Sequence, residues 1–493
     1  MNGDIPKELV NPCAPSLARA LTPIFNSCML SKKWPTFWKV ETIVPIPKTL
    51  SPGTMDDIRP ISMTTLWSKL LESYIASFTL QETSKNWKDT QYGGRKGSST
   101  DHVLVGIWDI ILNGLDNNNK AVVLGGIDFS KSFSRCSHQE ILKAYRDLGL
   151  SDWGIRMHAA FLTDRKMRVK IGNILSDERE ITGGAVQGSV LGVLDHNAVM
   201  ESVDGELVET DVFKYVDDLT LLETIDKEIP SMIDSTNERP THSFKPPKVQ
   251  EGFDKLSEMC KSRGLKINEQ KTQLLSISSA KFNTSAWITQ KNGTPIYSGD
   301  KLKLLGFTFS NKPDVHAQVE NLINRAASRA FVVRRLAGIK VDRTRLTRIY
   351  TSIVRSVLEY SSVTYGPMIT KYDSNRIENI QKHCLRSILG FDKRYEDLLE
   401  ESGLQTLEAR RHNALKKFAD KTSRNPQFSE WLQLNPNRSS QRSGKLYQEH
   451  HARSERLYNS PLYAMRRILN NTHNESRSNN PIYQDLSHLF NLP

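Results

Sequence analysis

Cysteine is scarce in this chain: Cys13, Cys28, Cys136, Cys260 and Cys384 are the five among 493 residues. None stands at the short spacing of a zinc site or of a disulfide framework, which excludes a structural zinc module and a small cross-linked secreted scaffold. Long apolar runs are also lacking, and the opening "MNGDIPKELV" has no basic-then-apolar pattern. A membrane span and a secretory signal are therefore not expected, and a reduced, intracellular setting, cytoplasm and nucleus, is. The sequons at Asn470 and Asn474 then carry no weight. Acidic residues are the rarer charge, 55 Asp and Glu against 67 Lys and Arg, a net charge of +12. That excess calls for a polyanionic partner, although charge alone does not separate nucleic acid from an acidic membrane.

What is present suits a globular body of two to four domains or subdomains, with 38% hydrophobic residues. Leu17, Leu21, Ile24, Phe25 and Cys28 share one helical face, and "ETIVPIPK" reads as a strand ended by proline. "QYGGRKGSSTDH" combines glycines with Arg95 and Lys96, a flexible basic loop able to cradle phosphate or simply to connect. "AVVLGGIDFS" reads as a buried strand feeding the amphipathic helix "HQEILKAYRDLGL", and "RKMRVKIGN" as a half-exposed strand with a positive outer face. A polar, proline-rich insertion follows between Asp226 and Lys248, and "KLKLLGFTFS" reads as a further strand. From Leu322 to Tyr350 eight basic residues face one acidic residue, while Leu322, Ala326, Ala330 and Val333 recur at helical spacing. A helix with a core face and a basic, phosphate-contacting face is expected there, because merely solvated faces mix both signs. "LEARRHNALKKFAD" is helical, "NPNRSSQRSGK" mobile, and "PLYAMRRILN" a short helix.

One stretch resists this scheme. "DVFKYVDDLTLLE" sets Asp217 and Asp218 side by side in an apolar hairpin pattern, where like charges repel and lose hydration. The pair alone fits the solvated tip of a turn. The turn is the commoner reading of such a pair, and a divalent cation becomes the alternative only where a third carboxylate joins it. Asp128, ending the strand "AVVLGGID", is the candidate, although alone it would serve as well as a helix cap or turn residue.

In order along the chain, "VPIPK", "DIRPIS", "QYGGRKGSSTDH", "IDFSKSF", "GGAVQGSVLG", "KYVDDL", "GLKINEQKT" and "LKLLGF" resemble the reverse transcriptases of non-LTR (LINE-type, jockey-like) retrotransposons. The resemblance runs from about Ile5 to Asp420, and "GLQTLEARRHNALKKFA" resembles the segment that follows the thumb in these elements. It implies an α+β, right-handed polymerase fold. The division expected is an N-terminal helical segment (1–34), fingers (35–120), palm (121–312, with a polar loop at 226–248), basic α-helical thumb and following helices (313–425), and a polar, partly disordered C-terminal tail (426–493).

The implied activity is RNA-directed DNA polymerisation, extending a primer 3′-end with dNTPs on an RNA template, with a DNA primer or target DNA as partner. The implied cofactor is Mg²⁺, or Mn²⁺ in its place, held by Asp128, Asp217 and Asp218, with Asp217 the firmer ligand of the pair. The family pattern further places Phe133 beneath the sugar, where it excludes a 2′-hydroxyl, although a core aromatic is the commoner role of Phe. Gln187, Gly188 and Tyr215 fall at the nucleotide pocket, Lys48 and Arg59 at the triphosphate, and Lys271 at the pyrophosphate as a general acid. Arg95, Lys96, Arg325, Arg329, Arg334 and Arg335 are expected on nucleic acid. Three departures stand out: Ser134 replaces a common aspartate, Val186 a usual proline, and "GVLDHN" the more usual "GPLLFN". No endonuclease site is found, so a truncated copy, a partial gene or reliance on another nuclease is expected. The rival class is a catalytically inactive or repurposed RNA-binding remnant, and a splicing-associated maturase is disfavoured by the C-terminal resemblance.

Overall fold

The computed structural model describes residues 7–116, 120–203, 210–226, 242–278, 284–436 and 445–478. Two compact units form from interleaved segments: unit 1 from Met1–Arg95, Ile127–Thr220 and Gln250–Thr272, unit 2 from Lys96–Gly126, Leu221–Val249 and Gln273–Pro493. The α+β class expected from the sequence holds, with mixed sheets in both units and helices covering them.

In unit 1 the strand Val40–Pro47 pairs antiparallel with Ile58–Met63 and parallel with Arg165–Ile171. Arg165–Ile171 continues antiparallel to Ile174–Leu175 and Arg179–Ile181. The helices beside this sheet begin at residues that satisfy the first free N–H groups: Thr65, Ser137 and Ser151 accept from the backbone of Ser68, Glu140 and Gly154. Helix Val190–Val203 is started differently. Buried Glu72 accepts from Val190 N at 2.7 Å and Leu191 N at 3.3 Å, with Ser68 Oγ at 2.9 Å on its other oxygen. A carboxylate at that end also meets the positive pole of the helix. The early helix, Ala14–Ser31, buries its expected face only at Cys28, with Leu17, Leu21 and Phe25 half-buried and Ile24 exposed.

Unit 2 holds a sheet in which Lys120–Ile127 lies antiparallel to Gln273–Ser278, followed by Pro295–Gly299, Thr284–Thr289 and His242–Phe244. Ala121, Val122, Val123 and Leu124 are all buried, as a continuous apolar run requires when both faces are covered. "KLKLLGFTFS" is two strands rather than one: Lys301–Leu304 pairs with Phe307–Ser310. The chain reverses at Leu305 (φ 48°) and Gly306 (φ 79°), two left-handed residues in succession, the signature of a tight hairpin turn. Helix His316–Gly338 buries Leu322, Ala326, Ala330 and Val333, the stripe read from the sequence. No helix among the described residues is long and apolar enough to cross a membrane.

The region expected as a polar tail is a packed element in most of its described part. Helix Pro461–Ser478 lies against helix Thr100–Asp116, and Leu462, Ala464 and Met465 join Val105, Val363, Leu415, Ala419 and Leu432 in one core cluster. Asp116 clamps the approach, accepting from Ser454 N at 2.8 Å and Arg453 N at 3.0 Å. Nearby, buried His102 stacks on Phe428 at 4.1 Å and is held by Ser99 and Thr422. Most of "NPNRSSQRSGK" and of the insertion after Asp226 lies outside the described residues.

Candidate active site

The aspartate pair sits at the tip of a hairpin in unit 1, between strand Asp211–Tyr215 and the start of Asp218–Asp226. Its turn is strained: Val216 adopts φ 60°, a left-handed conformation that costs a side-chain-bearing residue about 1–2 kcal/mol. The loop "QYGG" holds it there. Tyr92 N donates to Lys214 O at 2.9 Å and Lys214 N to Thr90 O at 2.8 Å, so Gln91 runs beside the strand. The Gln91 side-chain oxygen then accepts from Gly93 N at 3.0 Å and Val216 N at 3.4 Å. Gly93 lies so close that a Cβ there would stand 2.5 Å from Val216 N. Beneath, the Lys214 ammonium is fully buried against Glu201 at 3.3 Å. Tyr215, the strand's last residue, is half-buried.

Asp128 follows strand Lys120–Ile127, and its carbonyl accepts from Asn268 N at 2.7 Å while Ser130 N donates to Lys266 O at 2.8 Å. The segment "GLKIN" is thereby zipped onto the backbone on either side of Phe129, next to the carboxylate that the sequence singled out. The Asp128 charge reaches both members of the pair. Asp217 is pushed up by desolvation first and by the Asp128 carboxylate, with the Arg59 guanidinium opposing. Asp218 is pushed up to about 6 by desolvation, then by Asp217 and Asp128. Both side chains keep solvent access, which screens the effect.

Among the described residues no three His, Cys, Asp or Glu side chains are drawn into a ready-made metal cage. Mg²⁺ binding needs only one or two carboxylates beside water and phosphate oxygens. The imbalance of charge at a fixed tip fits a hard divalent ion.

Cations lie close by in unit 1. Arg59 is exposed on strand Ile58–Met63 and its charge reaches Asp217. Lys48 is exposed just beyond Val40–Pro47, its Nζ donating to Asp56 O at 2.8 Å. Lys131, which the sequence reading passed over, sits at φ 53° with Nζ 2.8 Å from Asp56 Oδ1. The Asp56 carboxyl is held below its usual range by Lys131 first, then by Lys48 and Lys271. Three lysines therefore share one carboxylate, an arrangement that a triphosphate could replace.

Gly188, at φ 115°, passes so near the strand Ile58–Met63 that a Cβ would be 2.7 Å from Ser62 O, and Gln187 O accepts from Ser62 N at 2.8 Å. The "VQGS" turn and the Arg59 strand are thus bound as one surface. Phe133 is half-buried, stacked on the ring of His196. Arg95 is largely committed to its own loop, donating to Lys88 O at 2.7 Å and pairing with Asp89 at 3.5 Å. Lys96, in unit 2, is exposed, as are Arg325, Arg329, Arg334 and Arg335 on helix His316–Gly338.

A family model described as reverse transcriptase (RNA-dependent DNA polymerase) matches residues 46–309, more than half of the chain. The chain belongs to the reverse transcriptase family. The resemblance to non-LTR retrotransposon enzymes read from the motifs is borne out by two curated relatives from Drosophila melanogaster. A probable RNA-directed DNA polymerase from transposon BS is 24% identical over 414 residues, 82% of this chain and 44% of the relative. One from transposon X-element is 29% identical over 178 residues, 35% of this chain and 19% of the relative. The chain thus spans less than half the length of either. Among solved structures, apo telomerase from Candida tropicalis is similar with a TM-score of 0.44 at 11% identity, over 78% of this reverse transcriptase chain and 62% of the other. A telomerase from Candida albicans in complex with a fragment of telomeric RNA gives 0.39 at 11% identity, over 81% and 67%.

Proposed function

We propose that this chain is an RNA-directed DNA polymerase that extends a primer 3′-end with deoxynucleotides on an RNA template. The observation that carries the reading is the charge cluster of Asp128, Asp217 and Asp218, set on a strained, braced hairpin tip with Arg59 alongside. Asp128, Asp217 and Asp218 hold Mg²⁺, or Mn²⁺ in its place. When bound, such ions lower the pKa of the primer hydroxyl and neutralise the leaving pyrophosphate. The chain's own groups do the rest. Arg59, Lys48 and Lys131 grip the triphosphate, Arg59 in the bidentate manner that suits phosphate. Lys271 stands by to protonate the pyrophosphate, and the Gln187–Gly188 turn brings backbone close to the nucleotide beside Tyr215. Phe133 lies under the sugar and meets a 2′-hydroxyl with steric clash.

In this reading residues 35–120 form the fingers, 121–312 the palm and 313–425 the thumb with its following helices. Lys96, Arg325, Arg329, Arg334 and Arg335 present exposed charge to template and primer phosphates, giving a salt-dependent affinity. An intracellular site of action, cytoplasm and nucleus, follows from that substrate.

The test is divalent-dependent extension of a DNA primer on an RNA template, with Asp217→Asn as control. Extension lost in the variant while RNA affinity persists is expected, because different residues carry the two tasks. Equal loss of both would refute the division. Tight RNA binding without extension in the unaltered chain would instead indicate a binding remnant.

A further inference from the structure

Helix Val190–Val203 carries three consecutive polar residues that are all buried, Asp195 and His196 at 0% exposure and Asn197 at 2%. Successive helical residues turn by about 100°, so the three face different neighbours. Asp195 accepts from the Tyr145 hydroxyl at 2.8 Å and lies 2.8 Å from His158 Nδ1, whose Nε2 is 3.0 Å from Thr79 Oγ1. Asn197 donates to Gly93 O at 2.7 Å and accepts from Gln91 Nε2 at 3.3 Å. Between these two anchors the helix cannot rotate about its axis without breaking one of them.

His196 differs from both neighbours. Neither of its ring nitrogens has a hydrogen-bond partner among the described residues. Burial without partners is costly for an imidazole, and it holds the pKa down at about 3, so the ring is neutral. Its ring lies in a flat stack on Phe133, centroids 4.4 Å apart and planes 13° from parallel. The Phe133 backbone is fixed independently, since Ala185 N donates to its carbonyl at 2.8 Å. What the backbone leaves open is the tilt of the ring, and the imidazole face closes that freedom.

We propose that His196 is a positioning residue for sugar selection: clamped through Asp195 and Asn197, its ring sets the tilt and height of Phe133, and so how closely a 2′-hydroxyl meets it. The proposal rests on the reading of Phe133 as the residue beneath the nucleotide sugar. A two-ring stack then acts as one rigid block, and discrimination depends on the lower ring as well as the upper.

The experiment compares single-turnover incorporation of dCTP and rCTP on an RNA template by the full chain and by Phe133→Val, His196→Ala, His196→Leu and His196→Phe, with thermal unfolding of each. The dCTP over rCTP ratio of kcat/KM is expected to fall in Phe133→Val. It should fall about 3- to 10-fold in His196→Ala and His196→Leu, the range a lost aromatic stack supports. His196→Phe should restore the ratio, because a flat ring returns, and should melt higher than the parent, because two unpaired nitrogens are gone. Leu fills the space without a plane, so it separates stacking from mere volume should His196→Ala not fold. A ratio lowered by Phe133→Val but untouched by His196→Leu would overturn the proposal and leave the sugar-gate reading standing. A ratio unmoved by Phe133→Val, or a parent chain without extension, would overturn both.

Discussion

Replacing Gly93 by alanine isolates the bracing of the hairpin that carries Asp217 and Asp218. The added Cβ would lie 2.5 Å from Val216 N, 2.7 Å from Val216 Cγ2 and 2.9 Å from Tyr215 C. Ordinary contact begins near 3.5 Å, so loop and hairpin must part by about 1 Å. The loop yields poorly, since Gly93 N is bound to Gln91 Oε1, Gly93 O to Asn197 and Tyr92 N to Lys214 O. The hairpin tip, already strained at Val216, moves instead and carries Asp217 with it. A misplacement of about 1 Å in a reacting centre costs on the order of 10²-fold in rate, whereas overpacking costs about 1–3 kcal/mol of stability. Gly93→Ala is therefore expected to extend a primer about 100-fold more slowly in single turnover, with RNA affinity and circular dichroism unchanged. Extension at the parental rate by a folded variant would refute the bracing role.

Other consequences are as specific. Burial against Phe428 lowers the His102 pKa to about 4, below the unfolded value of about 6.5, so the unfolded chain binds more protons between those values. Stability should fall on acidification from about pH 6.5 to 4, and His102→Gln should remove up to about 3 kcal/mol of that fall; parallel pH profiles of urea midpoints in both proteins would contradict this. Glu72→Ala strips helix Val190–Val203 of its N-terminal carboxylate and is expected to cost about 2–3 kcal/mol. A denaturant midpoint equal to the parent's would show the helix start to be satisfied otherwise. Asp217→Asn, as above, should separate extension from RNA binding.

The candidate carboxylates were legible because each carries a local signal: an apolar strand that ends in Asp128, and a charged pair interrupting a hairpin pattern. What braces them was not. Gly93 and Val216 are 123 positions apart, and neither looks unusual until the chain folds one against the other. Lys131 and Asp56 carry no local signal, and only the approach of their loops pairs them. Arg95 shows the converse, a residue of the right chemistry that its own loop employs. In "KLKLLGFTFS" the apolar positions shift from Leu302 and Leu304 to Phe307 and Phe309, so the break in alternation at Leu305–Gly306 marked the reversal that a reading as one strand passed over. Composition misled at the C-terminal end, where polar stretches outnumber a few apolar residues that prove to be buried, among them Leu462 and Met465.

The docking of helix Pro461–Ser478 on helix Thr100–Asp116 bears on the timing of synthesis. Every segment of unit 1 has been made once residue 272 leaves the ribosome, whereas unit 2 lacks a wall of its core until residues near 465 appear. At common elongation rates that delay is about 10–40 s. Val105 and its neighbours must spend it uncovered or provisionally covered, a window in which a nascent chain is prone to association. Placing a slow codon run or a ribosome stall between those points would lengthen the exposure of unit 2 alone.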